Sequence, residues 1–180
     1  VYLADEHAVP LALGGQHILE GASCRDCAKI TSRFEMDVAR EMWGDARIHY
    51  DAPSRRRKSR PTTITLTHPD SGRRLTVPYS EYPAPFIFYM MSRAGFLEGM
   101  PEHVDTSGLW QLSAITDDAK AKAFEAKFSI PLMARFRHVP HSFGRMIAKI
   151  GYCQVLTTLD VGDFEPICLP YILGKKSNVS

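Results

Sequence analysis

An acid and a histidine stand side by side at Glu6-His7, and a Cys-x-x-Cys follows at Cys24-Arg25-Asp26-Cys27. Pro10 and the pair Gly14-Gly15 lie between them. A carboxylate can hold a divalent cation, an imidazole can take a proton from water, and two thiolates can form half of a tetrahedral zinc site. Hydrolysis of a phosphodiester needs such a base, and a cation that neutralises charge on the phosphoryl oxygens. The rest of the chain reads as an ordinary packed domain, so chemistry is sought first in this N-terminal segment.

These residues need elements to position them. Leu11 to Leu19 reads as a hairpin turning around Gly14-Gly15. Residues 24–43 read as a helix, because Ile30, Phe34, Val38 and Met42 recur every fourth residue on one stripe. Gly44 is expected to cap that helix at its C-terminus. Acid–His on a strand, a hairpin and then a helix opened by Cys-x-x-Cys places base, carboxylate and thiolates in one small unit.

Glu6-His7-Ala8-Val9-Pro10 through Gly14-Gly15 to Cys24-x-x-Cys27 resembles the HNH (ββα-metal) nuclease family, and within it the members that carry a structural zinc. The resemblance spans residues 4–35. It implies His7 as the general base and Glu6 as a ligand of a catalytic Mg²⁺ or similar divalent cation. It also implies Cys24 and Cys27 as ligands of a structural Zn²⁺, with His17 able in principle to join them. The family places Asn or His directly after the second cysteine, whereas this chain has Ala28, whose methyl cannot coordinate. The family's first cysteine pair precedes the His motif; the chain begins with Val1, and residues upstream of it are expected. Phe143-x-Arg145-Met146-x-x-Lys149-Ile150-x-Tyr152 is similar to the body of bacterial proteins that carry such a module, and implies no activity.

Beyond the helix the composition changes. Arg55, Arg56, Arg57, Lys58 and Arg60 put five cations into one short run, with no acid between Asp51 and Asp70. Five phosphate contacts would release about five counterions and make binding steeply salt-dependent. No aromatic residue interleaves the run, so base stacking there is not expected. The alternative for the run is a solvated linker.

The spacing predicts strands over Thr62–Thr67 and Arg74–Val77 around a Pro69-Asp70-Ser71-Gly72 turn, a buried strand at Phe86–Met91, and strands at Leu109–Ile115 and Pro131–Arg137. Helices are expected at Asp117–Phe128 and His141–Leu156, the second with Phe143, Met146, Ile147, Ile150 and Cys153 inward. Arg145 and Lys149 stand four apart and are read as one solvated face of that helix. Residues 160–180 read as irregular or as ending on a short strand. His138 and His141 flank a helix start and read as a surface loop and cap.

The chain has 180 residues, 44% hydrophobic and 23% charged, which supports a sizeable core. Net charge is +2, too small to name a partner class. Four cysteines are few for a disulfide-stapled secreted protein, so a cytoplasmic setting is expected. No apolar stretch reaches membrane-spanning length.

The resulting expectation is an α+β protein: an HNH-like ββα module over residues 1–50, a basic linker over 51–61, and a mixed-sheet domain with two helices over 62–180. The expected function is a metal-dependent DNA endonuclease acting on double-stranded DNA. The alternative, motivated by Ala28, is a non-catalytic nucleic-acid-binding protein with a degenerate module. A small-molecule enzyme using His138 or His141 is a third class.

Overall fold

A computed structural model describes residues 3–54 and 57–179. β1 (Leu3–His7) pairs antiparallel with β2 (Ile18–Cys24), and α1 (Arg25–Asp37) follows without a loop. Cys24 ends the strand and caps the helix: its Sγ accepts the Cys27 backbone N–H at 3.3 Å. The side chain thereby satisfies one of the donors that every helix start leaves unpaired.

The expected helix over 24–43 is present but changes winding. After Asp37 the chain passes through an i→i+5 turn over Val38–Met42, closed by Trp43 N–H on the Val38 carbonyl at 3.0 Å. An α-helix overshoots by about 40° at each step of four residues, so a strict four-residue repeat drifts off its own face. The wider turn keeps Val38 and Met42 beside Phe34 in the core. Gly44 is not a C-cap. It takes no left-handed conformation and opens a second helix, α2 (Gly44–His49), because Trp43 already makes the corner.

The rest of the strands form hairpins. β3 (Thr63–Thr67) pairs with β4 (Arg74–Pro78), and β5 (Phe86–Met90) pairs with β6 (Gln111–Ile115). The mixed sheet expected over 62–180 is therefore replaced by two separate two-stranded antiparallel sheets, alongside the β1/β2 pair. Each gains its buried face from helices and loops instead of from a further strand. In β3/β4, Ile64 faces Val77 and Leu66 faces Leu75 across the ladder, while Thr65 and Thr76 share a 3.0 Å hydroxyl contact on the outer side. This is the alternation expected of a half-buried hairpin.

α3 (Asp118–Phe128) and α4 (Pro140–Val155) match their expected spans. Asp117 caps α3 through Lys120 N–H at 3.1 Å, and Pro140 sits at the first position of α4, where its missing N–H costs nothing. Residues 131–137 form no strand. Their backbone partners are irregular: Arg137 N–H bonds the Glu41 carbonyl at 2.7 Å, and the Met133 carbonyl accepts from Tyr82 Oη at 2.6 Å. Residues 160–179 run through turns into α5 (Leu169–Ile172), whose Ile172 reaches the core.

Two cores result. One joins Phe34, Val38, Met42 and Trp43 to Ile87, Tyr89, Phe143 and Met146, so α1 and its extension pack directly on α4. Trp43 Nε1 donates to the Ile87 carbonyl at 2.6 Å inside it. The other gathers α2, β3, β4 and α3 around Tyr82 and Phe124. Residues from both sides of the basic run thus share packing. Among the described residues no helix is long and apolar enough to cross a membrane.

Candidate functional site

Glu6 and His7 close β1, opposite Leu19 and Ile18 of β2. A bulge between Ala4 and Glu6 shifts the register, and Asp5 Oδ1 fills it by accepting the Gly21 backbone N–H at 3.0 Å. Such a bulge re-aims the side chains that follow it. Beyond His7, Ala8 N–H bonds the His17 carbonyl at 3.0 Å, and Pro10 starts a 3₁₀ turn over Leu11–Leu13. Gly14 ends that turn in the left-handed region at φ 88°, and Gly15 passes so close to Val9 that no side chain fits there. The Gly-Gly pair read from the sequence is the hinge that returns the chain under the Glu6-His7 end.

The residue that organises this end was not foreseen. Lys149 of α4 is not solvated: its side chain is 3% exposed, with Nζ 2.7 Å from Glu6 Oε1 and 2.8 Å from Glu35 Oε1 of α1. The same ammonium donates to the His7 carbonyl. Thr31 Oγ1 lies 3.4 Å from the second Glu6 oxygen, so β1, α1 and α4 meet at one charged cluster. Burial alone would depress the Lys149 ammonium, but hydrogen bonds and charge from Glu35 and Glu6 outweigh it and hold it above its ordinary range. Burial pushes the Glu35 carboxyl up, with Lys149 opposing. His7 is half-buried, and its Nδ1 has no hydrogen-bond partner among the described residues. The four-residue step from Arg145 to Lys149 was legible in the sequence. A lysine on the apolar side of α4, one residue before Ile150 and three after Met146, was the available signal that this position faces inward.

Cys24 and Cys27 lie together at the start of α1 and differ in character. The Cys27 backbone N–H, then the Cys27 thiol, lower the Cys24 thiol below its usual value. The shared hydrogen bond with Cys24, then burial, raise Cys27. Limited iodoacetamide treatment at neutral pH is therefore expected to label Cys24 before Cys27, read by peptide mass mapping. Equal labelling of both would show that the cap does not hold in solution.

The expected metal ligands fit their metals poorly. Two thiols are half of a zinc set, and no group of three His, Cys, Asp or Glu side chains able to hold a metal occurs among the described residues. His17 does not complete it. Glu6, the expected ligand of a catalytic cation, already faces the Lys149 ammonium. Ala28 brings no donor to this region.

The basic run divides. Arg55 and Arg56 lie outside the described residues. Arg57 and Arg60 both pair with Asp51, Arg60 at 2.8 Å, and Arg60 also donates to the Ala52 carbonyl. Asp51 holds the left-handed conformation at φ 51°, and the two arginines lock that corner. Lys58 is exposed. A second basic feature appears on α1, where Arg25, Lys29 and Arg33 stand on one exposed face, about 6 Å apart along the axis. They border an open groove of 950 Å³ that Cys24, Ala28 and Met36 also line. Their i, i+4, i+8 spacing was visible in the sequence but is overshadowed there by the denser run at 55–60.

His138 and His141 serve separate partners. His138 Nδ1 lies 3.1 Å from Tyr89 Oη, and His141 Nδ1 lies 3.0 Å from Asp105 Oδ2. Tyr89 Oη also accepts the Val139 backbone N–H at 2.7 Å, which fixes the approach to α4. Both histidines therefore tie a loop to its surroundings.

No family model, no curated protein and no solved structure matches the chain.

Proposed function

We propose that the chain acts on nucleic acid as an HNH-type endonuclease that hydrolyses phosphodiester bonds at the end of β1. The observation that carries this reading is the Glu6-His7 pair closing the first strand of a β1–β2–α1 unit, with His7 Nδ1 unpartnered. That nitrogen is buried as well as unpartnered, so in this reading it takes a proton from the attacking water once the strand end opens to solvent. Glu6 and Glu35 are oxygen donors of the type that the divalent cation implied by the family likeness takes, and both are engaged by the Lys149 ammonium in this structure. The exposed row Arg25, Lys29, Arg33 gives a polyanion a place to lie near the hairpin, in addition to Lys58 and its neighbours.

A second reading is a nucleic-acid-binding protein without turnover. Two observations favour it: Glu6 is engaged by Lys149, and Ala28 stands where the family has a further ligand.

Plasmid nicking in Mg²⁺ or Mn²⁺, with the full chain beside His7→Ala, separates the two. Loss of a general base is expected to lower cleavage by about 10²–10⁴-fold. Cleavage unchanged in His7→Ala would overturn the assignment of the base. No cleavage by either protein, with salt-sensitive DNA binding retained, selects the second reading.

A further inference from the structure

β2 runs into α1 with no residue between them, and the junction is a cysteine. Cys24 pairs with Leu3 across the β1/β2 ladder and also caps the helix, so its backbone is pinned from both sides. Its extended ψ of 160° turns the thiol back over the first helical turn, where Sγ accepts the Cys27 backbone N–H at 3.3 Å. The two thiols share a hydrogen bond as well, and both residues are partly exposed. Only a short approach then separates the sulfurs from an S–S bond of about 2.0 Å. Cys24 and Cys27 are both free thiols in this structure. Cys24 also lines the open groove beside α1, where Met36 gives apolar surface and Arg25, Lys29 and Arg33 give positive charge. Asp26 is the acid of that groove, and Lys29 pairs with it at 3.1 Å, so the arginines leave the groove cationic.

We propose that Cys24 and Cys27 are a redox-active dithiol that exchanges with disulfides flanked by carboxylates, Cys24 attacking and Cys27 resolving. The Cys24 thiolate attacks one sulfur of the substrate disulfide. The substrate S–S bond breaks, a Cys24–substrate disulfide forms, and the first substrate thiolate leaves and takes up a proton. Cys27 then gives up its proton and attacks Cys24 Sγ. The Cys24–Cys27 bond closes, and the second substrate thiolate leaves and is protonated in turn. Two electrons and two protons pass from the protein dithiol to the substrate, which ends as two thiols. Cys24 takes the attacking role because it opens on the groove where the substrate lies. Arg25, Lys29 and Arg33 draw carboxylates toward that sulfur. The inference is separate from the endonuclease reading, in which the family likeness uses the same two cysteines to hold zinc.

The test reacts the reduced full chain with oxidised glutathione, read by peptide mass mapping, for wild type, Cys24→Ser and Cys27→Ser. Serine is a preferred helix cap, so Cys24→Ser keeps the start of α1. Wild type is expected to lose two hydrogens, to carry a Cys24–Cys27 bond and to release both glutathiones. Cys27→Ser is expected to stop with one glutathione on Cys24. Cys24→Ser is expected to react at Cys27 at least about tenfold more slowly than the wild-type pair. Wild type that stops at the mixed disulfide or keeps both thiols reduced overturns the proposal, and this needs no variant to fold. Cys24→Ser reacting as fast as wild type overturns it too, as does Zn²⁺ that stays with purified wild type and blocks oxidation of both cysteines. The substrate class has its own arm, the rate with oxidised glutathione divided by the rate with the cationic disulfide cystamine. Arg25→Gln/Lys29→Gln/Arg33→Gln is expected to lower that ratio by about fivefold, the worth of one or two exposed ion pairs. An unchanged ratio overturns the preference for carboxylates. Plasmid nicking has no part in these readouts, so failure of the endonuclease reading leaves them intact.

Discussion

Lys149→Met is expected to lower the stability of the folded chain by about 3–5 kcal/mol, the range for removing one partner of a buried ion pair. The substitution keeps the stem, so the loss reads the ammonium and not a cavity. Without it, Glu6 and Glu35 are left facing each other with side chains only 13% and 19% exposed, and the His7 carbonyl loses its donor. Urea unfolding in buffer free of divalent ions measures the effect. A shift below about 1 kcal/mol, the size of an exposed pair, would mean that the cluster is solvated in solution. A charge-free companion sharpens the result. Glu6→Gln/Glu35→Gln/Lys149→Met removes both signs together, and most of the lost stability should return, because the cost lies in the unpaired charge. If the companion is as unstable as Lys149→Met alone, packing and not charge is responsible.

Gly15→Ala carries the next largest expected effect, about 3 kcal/mol, near the upper end for forcing atoms into a filled space. A Cβ at Gly15 would lie 1.8 Å from the Val9 carbonyl oxygen and 2.9 Å from the Val9 Cβ. Those atoms are backbone and a branched side chain, so no rotamer change can relieve the clash. The Gly15 N–H bond to the Pro10 carbonyl at 3.2 Å would be lost as the loop opens, and the end of β1 that carries Glu6 and His7 would move with it. Gly14→Ala is the control. Gly14 has φ 88° but nothing within 4 Å of its would-be Cβ, so only the left-handed strain of about 1–2 kcal/mol applies. Unfolding midpoints of the two variants give the comparison. Gly14→Ala proving the more damaging of the two would refute the close approach at Gly15.

Both effects concern features of different legibility. Gly14-Gly15 stood out as a turn from its residue types, but the hairpin expected over Leu11–Leu19 does not form: Leu11–Leu13 make a 3₁₀ turn, and the paired strands are Leu3–His7 and Ile18–Cys24 on either side of it. The division of labour between the glycines did not show, because the sequence does not record how near Val9 comes. The basic run shows the same limit from the other side. Its five cations were plain, but Asp51 lies within reach of Arg57 and Arg60 only because α2 ends in a left-handed corner. Two of the charges that looked free for phosphates are spent on holding that corner. The expected strand at residues 131–137 failed for a related reason. Alternation marks a segment with one buried side, yet a strand also needs a neighbouring edge, and here side chains and the Glu41 carbonyl supply the partners instead.

Local chemistry determined most of the secondary structure. Alternating Thr, Ile and Leu fixed β3, the apolar run fixed β5, Asp117 and Pro140 set the starts of α3 and α4, and Cys24 began α1 where its side chain could cap it. The sequence also placed Glu6 and His7 on one strand immediately before a hairpin and a helix, because strand, turn and cap are decided by residues within a few positions of one another. Only the tertiary structure decided what that pair faces. The contact between Lys149 and His7 spans 142 residues, and it forms because packing Phe143 and Met146 onto Phe34 and Val38 turns the neighbouring side of α4 toward β1. Periodicity reports that a helix has an inner face; it cannot report which charges will be waiting there.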